Sequence, residues 1–353
     1  LHVTEVDSDR LGIKKSLQEA LDRLEKETLI NRNGEHYFFL TNEERDIGTQ
    51  IKNTDVSLGE ETKLLSEILF DEVLKSSPKH RYSVNKKDYT YNKVLDGVPY
   101  SSKQDNELIV EVISPLSDDS NKDAAHFINR SLEERGKIVF RLADDKDFSK
   151  ELRIYKQTDN FLRLKYNASG SPNFKKILEN RTDENKARLK RLAEILRTLF
   201  TESECYVCGS APDLQAFTPD KYMAQSLDYL IGATYTKLGY IKKTHDDPLK
   251  EIKSLLTADT PTQDSLIAGL EKENPDAIQE IQLYIRIAIQ KNNKIELTDL
   301  IKYFSARPFG WPDWEIVILI TRLFVSRRIE IVSGGEALGF KDAYGPLTKT
   351  QQW

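Results

Sequence analysis

Cys205 and Cys208 form a C-x-x-C, a spacing at which two thiolates can share a metal ion or a disulfide. A structural zinc site takes four ligands, and the chain has no second cysteine pair; the nearest histidine in sequence is His245. Glu204 to Cys208 also reads as a strand, whose period of two puts the thiols on opposite faces. Ordinary strand cysteines are the simpler reading. Carboxylates beside strand-like runs give a second candidate: Glu107 and Glu111 alternate with apolar residues, and Asp118-Asp119 and Asp144-Asp145 follow such runs. Metal-dependent nucleases need converging carboxylates, usually with a lysine two residues on, to hold Mg²⁺ and orient water. That lysine is missing, so solvated loop carboxylates are expected, and a nuclease centred on residues 107–142 stands as the enzyme alternative. His36, His80, His126 and His245 are scattered and read as structural. No G-x-x-x-x-G-K-[ST], G-x-S-x-G, H-E-x-x-H or kinase set is present, so this chain carries no phosphate-cradling P-loop motif. Gly334-Gly335 and Gly339 read as a wing turn, because no strand leads into a helix N-terminus there.

The elements that would position these residues follow from periodicity. Lys15 to Leu29 is amphipathic, with Leu17, Leu21 and Leu24 on one face. Asn33-Gly34 is a strong hairpin signal, because a type I′ turn needs positive φ at both positions, and His36 to Leu40 returns as a strand. Leu11-Gly12-Ile13 reads as the end of a preceding helix and its turn. Together these predict the back half of a winged helix, with ten residues before it, too few for a front half; the chain is expected to begin inside a domain. Helices are predicted over Asn42–Lys52 and Leu58–Lys75. Strands at Tyr89–Leu95, Glu107–Ile113 and Lys137–Leu142 enclose a helix from Lys122 to Arg135, a pattern that builds a parallel pair under a crossover helix. Phe148–Lys165 is helical, and Pro172 suits the first turn of a long helix over Asn173–Thr201. The middle of that helix, Glu179–Lys186, is wholly polar and must be exposed or broken. Further helices are read at Asp220–Tyr240, Asp264–Leu270 and Asp276–Lys291. A second winged-helix pattern closes the chain: helices at Leu297–Phe304 and Pro312–Ser326, then strands Ile329–Val332 and Ala337–Phe340.

A length of 353 residues allows two or three domains, and 39% apolar with 31% charged residues is the balance of a charge-rich globular protein. The longest aliphatic run, Ile316 to Ile320, is too short to span a bilayer. Two cysteines and no secretory signal predict a reducing, cytoplasmic setting. Net charge is -5, so nucleic-acid binding would need a local patch. Leu1 to Glu44 carries six Lys/Arg against ten Asp/Glu, which argues against a phosphate-binding face. Lys294 to Lys341 carries seven against six, with Arg322, Arg327 and Arg328 grouped at a helix end. Asn173 to Thr201 carries eight against four and includes Lys186, Arg188, Lys190 and Arg191. These seven residues are the candidate contacts for DNA or a partner, with helix C-terminus charge pairing and a solvated face as the plainer explanations.

Three collinear stretches carry a family resemblance: ALDRLEKETLINRNGEHYFFLTNEERDI (Ala20–Ile47), RYSVNKKDYTYNKVLDG (Arg81–Gly97) and PFGWPDWEIVILITRLFVSRRIEI (Pro308–Ile331). Between them, KKILENRTDENKARLKRLAEILRTLF followed by YVCG keeps the same order. The chain resembles the P-loop ATPase subunit of bacteriophage-exclusion (BREX) systems, of BrxC/PglY type. The resemblance implies a large parent with an AAA+-like ATPase in its N-terminal part, acting in phage defence with a DNA methyltransferase and other system proteins. It implies that the first motif closes the ATPase module, that ATP and Mg²⁺ belong to that module, and that no cofactor belongs to this stretch.

The expected fold is α+β, predominantly helical and multi-domain. It comprises a partial winged helix (1–57), an α/β domain (58–168), a long-helix region (169–257) and a C-terminal winged-helix-like unit (258–353). The expected function is non-catalytic: assembly with other BREX proteins or engagement of DNA, with oligomerisation open and no membrane. The alternatives are the nuclease and a stand-alone winged-helix DNA-binding protein.

Overall fold

The computed structural model describes residues 10–27, 29–33, 36–101, 106–165, 171–214, 216–257 and 273–349. Helix α1 (Arg10–Lys26) leads into strands β1 (Ile30–Asn33) and β2 (His36–Phe39), paired antiparallel with Asn33 opposite His36. The predicted helix and hairpin are therefore present, but Leu11-Gly12-Ile13 lies inside α1 and marks no turn. One glycine in a run of good helix formers costs only about 1 kcal/mol, too little to end a helix. Gly34 of the predicted turn lies outside the described residues.

Capping boxes at Thr41/Glu44 and Ser57/Glu60 start α2 (Asn42–Lys52) and α3 (Leu58–Glu67), and α3 continues as a π-helical stretch, Ile68–Val73. The sheet follows: β3 (Lys79–Arg81), β4 (Asp88–Leu95), β5 (Val98–Pro99), β6 (Leu108–Ile113), helix α4 (Ala124–Glu133) and β7 (Lys137–Arg141). Helices α5 (Lys146–Lys165) and α6 (Pro172–Thr201) come next, then β8 (Glu204–Val207). Strand order is β3-β4-β6-β7-β8, with β5 folded back on β4. Strands β4, β6 and β7 are parallel and β8 is antiparallel to β7, so the predicted βαβ unit is confirmed and the CYV strand closes its far edge.

Both faces of this sheet are covered, which is why β6 reads LIVEVI and β7 KIVFR. Leu108, Val110, Val112, Ile138 and Phe140 belong to the main core with α3, its π-helical extension and α6. Ile113, Val139 and Tyr206 pack under Phe127 of α4 on the other face. Glu111 also lies on the α4 face, 2% exposed. Arg130 of α4 donates to both its carboxylate oxygens, Nε at 2.9 Å and Nη2 at 2.8 Å, and Lys137 Nζ lies 2.9 Å away. Burial alone would raise the Glu111 carboxyl, but the hydrogen bonds from Arg130 and Lys137 outweigh it and hold it below the ordinary carboxylate range.

The long helix α6 is continuous through its polar middle, with Ser171 as N-cap and Pro172 in the first turn. Arg181 and Asn185 are buried there, against the expectation of an exposed or broken segment. Polar groups provide their own partners: Asn185 Nδ2 donates to the Tyr155 carbonyl of α5, and Arg181 Nη1 donates to Glu184.

Beyond β8 come α7 (Pro219–Thr234), α8 (Pro248–Thr257), α9 (Pro275–Gln290), α10 (Leu297–Ser305) and α11 (Asp313–Val325). A two-residue ladder, β9 (Val332–Ser333) with β10 (Glu336–Ala337), forms the wing, and a short α12 (Tyr344–Thr348) follows. The helix predicted to reach Tyr240 stops at Thr234, with a 3₁₀ turn at Leu238–Tyr240. The helix predicted at Asp264–Leu270 lies outside the described residues.

One core runs from Leu65 to Leu347 and joins the sheet to the C-terminal helices. Its seam is the turn between α10 and α11. Tyr89 Oη donates to the Gly310 carbonyl at 2.7 Å, and Lys87 Nζ donates to the Trp311 carbonyl at 2.9 Å. Trp311 stacks on Phe304 with centroids 4.9 Å apart and donates from Nε1 to the Lys237 carbonyl at 3.0 Å. Gly310 has φ +66°, and a Cβ there would meet the Tyr235 ring at 2.6 Å.

Gly310→Ala combines left-handed strain with a ring clash and should destabilise by about 2–3 kcal/mol, read as a lower urea midpoint at unchanged m. Glu111→Ala removes the buried carboxylate that Arg130 and Lys137 share, leaving them only Asp119 at 2.6 Å and Glu133 at 3.8 Å, and should cost about 3 kcal/mol. Because the Glu111 carboxyl is depressed when folded, its stabilisation is present above the ordinary value of 4.5 and is lost as pH falls through the lower folded value. Urea midpoints measured from pH 7 down to the acid limb should therefore fall less steeply in Glu111→Gln than in the parent chain.

Candidate functional site

A winged helix reads DNA with the helix that enters the major groove, and that helix is α11 here. Pro312 precedes it, and Asp313 and Glu315 occupy its first turn, where carboxylates suit the helix dipole but repel phosphates. Every residue from Glu315 to Val325 except Arg322 is buried, and Ile316, Val317, Ile318, Leu319 and Ile320 are at most 3% exposed. Helices α8, α9 and α10 pack against it. On α8, Ile252 and Leu256 are buried in the shared core. The helix that would recognise bases is thus enclosed by protein.

An ion-paired cluster locks α8 to α11. Arg322 Nη2 donates to Glu251 of α8 at 3.1 Å and lies 2.5 Å from Glu273. His245 Nδ1 lies 3.0 Å from Glu315, whose carboxylate also accepts the His245 backbone N–H. Lys243 pairs with Glu273. The Glu273 carboxyl is pushed up by burial and pulled down further by hydrogen bonds from Lys243 and Arg322, so it lies below its ordinary range. Sequence reading missed α8. Its signal was Pro248 at the start and the three- and four-residue spacings of Leu249, Ile252 and Leu256.

The seven basic candidates separate accordingly. Arg322 points inward, its side chain only 10% exposed. Arg188 is buried on α6, where Nε donates to Glu151 at 3.0 Å and Nη1 to Asn185 at 3.3 Å. Arg191 is half-buried, 3.6 Å from the same Glu151. Arg322 and Arg188 are corrections to the surface patch drawn from sequence: local charge counts cannot see acids contributed by α5 and α8. Lys186 and Lys190 are exposed on α6, Lys186 beside Asp183 at 3.2 Å. Arg327 and Arg328 are exposed just past α11, with Arg327 at φ +58°.

Four carboxylates of the nuclease alternative are bound to cations or caps, while Asp118 and Asp144 are exposed. Glu111 is held by Arg130 and Lys137, and Asp119 accepts from Arg130 Nη1 at 2.6 Å. Glu107 accepts from Tyr235 Oη at 2.9 Å and pairs with Arg307 at 3.3 Å. Asp145 caps α5 through the Phe148 N–H. Among the described residues, no group of three or more His, Cys, Asp or Glu side chains is placed to hold a metal ion. Cys205 is buried, its thiol pushed up to about 12 by burial, and Cys208 sits beyond the strand end at φ +47°. His80 bonds to Asp228 at 2.7 Å, a structural role like that read from the sequence.

Among the described residues, no helix is long and apolar enough to cross a membrane. No solved structure matches the chain. Two family models do. Residues 54–230 match the BREX ATP-binding protein BrxC fourth domain with six-stranded beta sheet, and residues 237–353 match the BrxC winged helix-turn-helix domain. The sheet β3–β8 falls within the first match and α8–α12 with the wing within the second. The chain belongs to the BrxC family of BREX ATP-binding proteins.

Proposed function

We propose that this chain serves a BREX phage-defence ATPase as an assembly module that holds other proteins of the system, while nucleotide hydrolysis is carried by sequence outside it. The supporting observation is the enclosure of α11, whose residues Ile316–Ile320 are at most 3% exposed. A winged helix with its recognition helix packed against α8 has given up base reading in favour of protein packing, a use the fold serves equally well. ATP and Mg²⁺ belong, by family resemblance, to the ATPase module. The purified chain should hydrolyse no ATP above buffer, and sustained turnover would overturn that part. Mixed singly with the other BREX proteins, it should co-elute with at least one in size-exclusion chromatography; no complex with any of them would sink the assembly role.

A secondary reading, phosphate contact, is favoured by the exposure of Arg327 and Arg328 beside the wing. Such binding should show no sequence preference and should weaken steeply with salt. Arg327→Glu with Arg328→Glu should lower the salt slope of log K by about 2 in an anisotropy titration on duplex DNA. Sequence-specific binding that survives this double change would contradict an enclosed α11.

A further inference from the structure

A cleft of ≈ 980 Å³ opens between α3, the β4–β5 turn and the loop leaving β6. It lies past the C-terminal ends of the parallel strands β4 and β6, the edge at which open α/β sheets receive ligands. Asp96 ties two of its walls together, accepting from the Ser114 N–H and Oγ–H at 2.7 Å each. The α3 wall runs directly into the π-helical stretch Ile68–Val73, a rare form that recurs at functional sites. From that stretch Asp71 accepts a 2.5 Å hydrogen bond from Tyr100 Oη, and Tyr100 lines the cleft.

The lining selects the ligand. Leu58 and Val98 present aliphatic side chains that are 62% and 56% exposed. Glu67 and Asp118 are exposed carboxylates, and neither has a cation within ion-pair distance among the described residues. Lys63 is the single cation among the described lining residues, against Glu67, Asp96, Asp118 and Asp119. The negative field reaches Tyr100, whose phenol is pushed up to about 12 by burial, by its bond to Asp71 and by the charges of Asp71 and Glu67.

We propose that this cleft docks a short basic segment of a partner protein, its Lys or Arg side chains on Glu67 and Asp118 and an aliphatic side chain between Leu58 and Val98. A free polyamine would answer the charge but leave the aliphatic pair uncovered, so a peptide fits the lining better. The proposal is independent of how α11 is used.

The test is fluorescence anisotropy of a labelled short peptide in which lysine-arginine pairs alternate with leucines, titrated with the purified chain. Glu67→Lys with Asp118→Lys should weaken binding roughly tenfold or more, as expected for reversing two complementary charges. Glu330→Lys with Glu336→Lys, an equal charge change at exposed wing positions outside the cleft lining, should leave affinity within about twofold, since exposed charges not in contact with the peptide are screened. Replacing the peptide leucines by serine should also weaken binding, as should Val98→Ser in the chain. All variants change exposed side chains, and matching thermal melts confirm their folding. Equal losses in both charge-reversed variants, no loss in either, or full affinity of the serine peptide overturns the proposal. Displacement of the peptide by spermidine at the same charge concentration overturns its aliphatic part.

Discussion

A part-buried ammonium group in the seam ties the sheet to the C-terminal helices. Lys87 stands at the start of β4, and burial holds it below the usual ammonium range despite the nearby charges of Asp313 and Glu107. A cation removed from water must be surrounded by oxygen, and here the backbone supplies it: the carbonyls of Ser305, Gly310 and Trp311 all face Nζ. Those carbonyls point inward only because the chain turns sharply at Gly310, where positive φ and the Tyr235 ring exclude a side chain. Tyr89, two residues from Lys87, donates to the same turn. The sheet and the C-terminal helices are thereby joined through carbonyl groups whose direction is fixed, and Trp311 fills the space beneath them.

That seam decides what α11 can do. The helix begins two residues after Trp311, so its axis is set by the turn, and its apolar sequence WEIVILITRLFV is consumed on several sides. A helix apolar all round is a core helix. In a DNA reader one face would stay polar and free; here the covering face is supplied by α8, locked by Arg322, Glu251 and Glu273. The winged-helix topology is kept while α11 is packed inside the protein.

Much of the fold was legible because its signals are local. Short apolar runs marked β4, β6 and β7, and Ser171-Pro172 marked the start of α6. The α10–turn–α11–wing order could be read from Leu297 onward. What escaped was set by distant partners. Arg188 and Arg322 looked like surface cations because Glu151, Glu251 and Glu273 come from other helices. The polar middle of α6 looked like a break because the Tyr155 carbonyl that accepts from Asn185 belongs to α5. Helix α8 escaped because its ten residues are too few for periodicity to stand out. Asp118 was named as a solvated loop carboxylate, and it is exposed; only the tertiary structure sets it beside Glu67, Leu58 and Val98 around a cleft.

The distribution of charge carries the argument one step further. Internal ion pairs take Arg188, Arg322, Arg130 and Lys137 away from the surface, each neutralising an acid that folding would otherwise strand. What remains outside on the basic candidates is thin: Lys190, Lys186 beside its Asp183, and the Arg327-Arg328 pair. At physiological salt, fields decay over about 8 Å, so on a chain of net charge -5 any attraction for a polyanion is local to these few cations. The same balance favours basic proteins. Proteins that handle DNA carry positive surfaces, and an acidic module can hold such a partner by the faces it does not spend on phosphate, while like charge keeps the duplex from occupying the joint. On the proposed assembly role, an enclosed recognition helix and an acidic, aliphatic-lined cleft would answer the same physical requirement, contact with protein in the presence of nucleic acid.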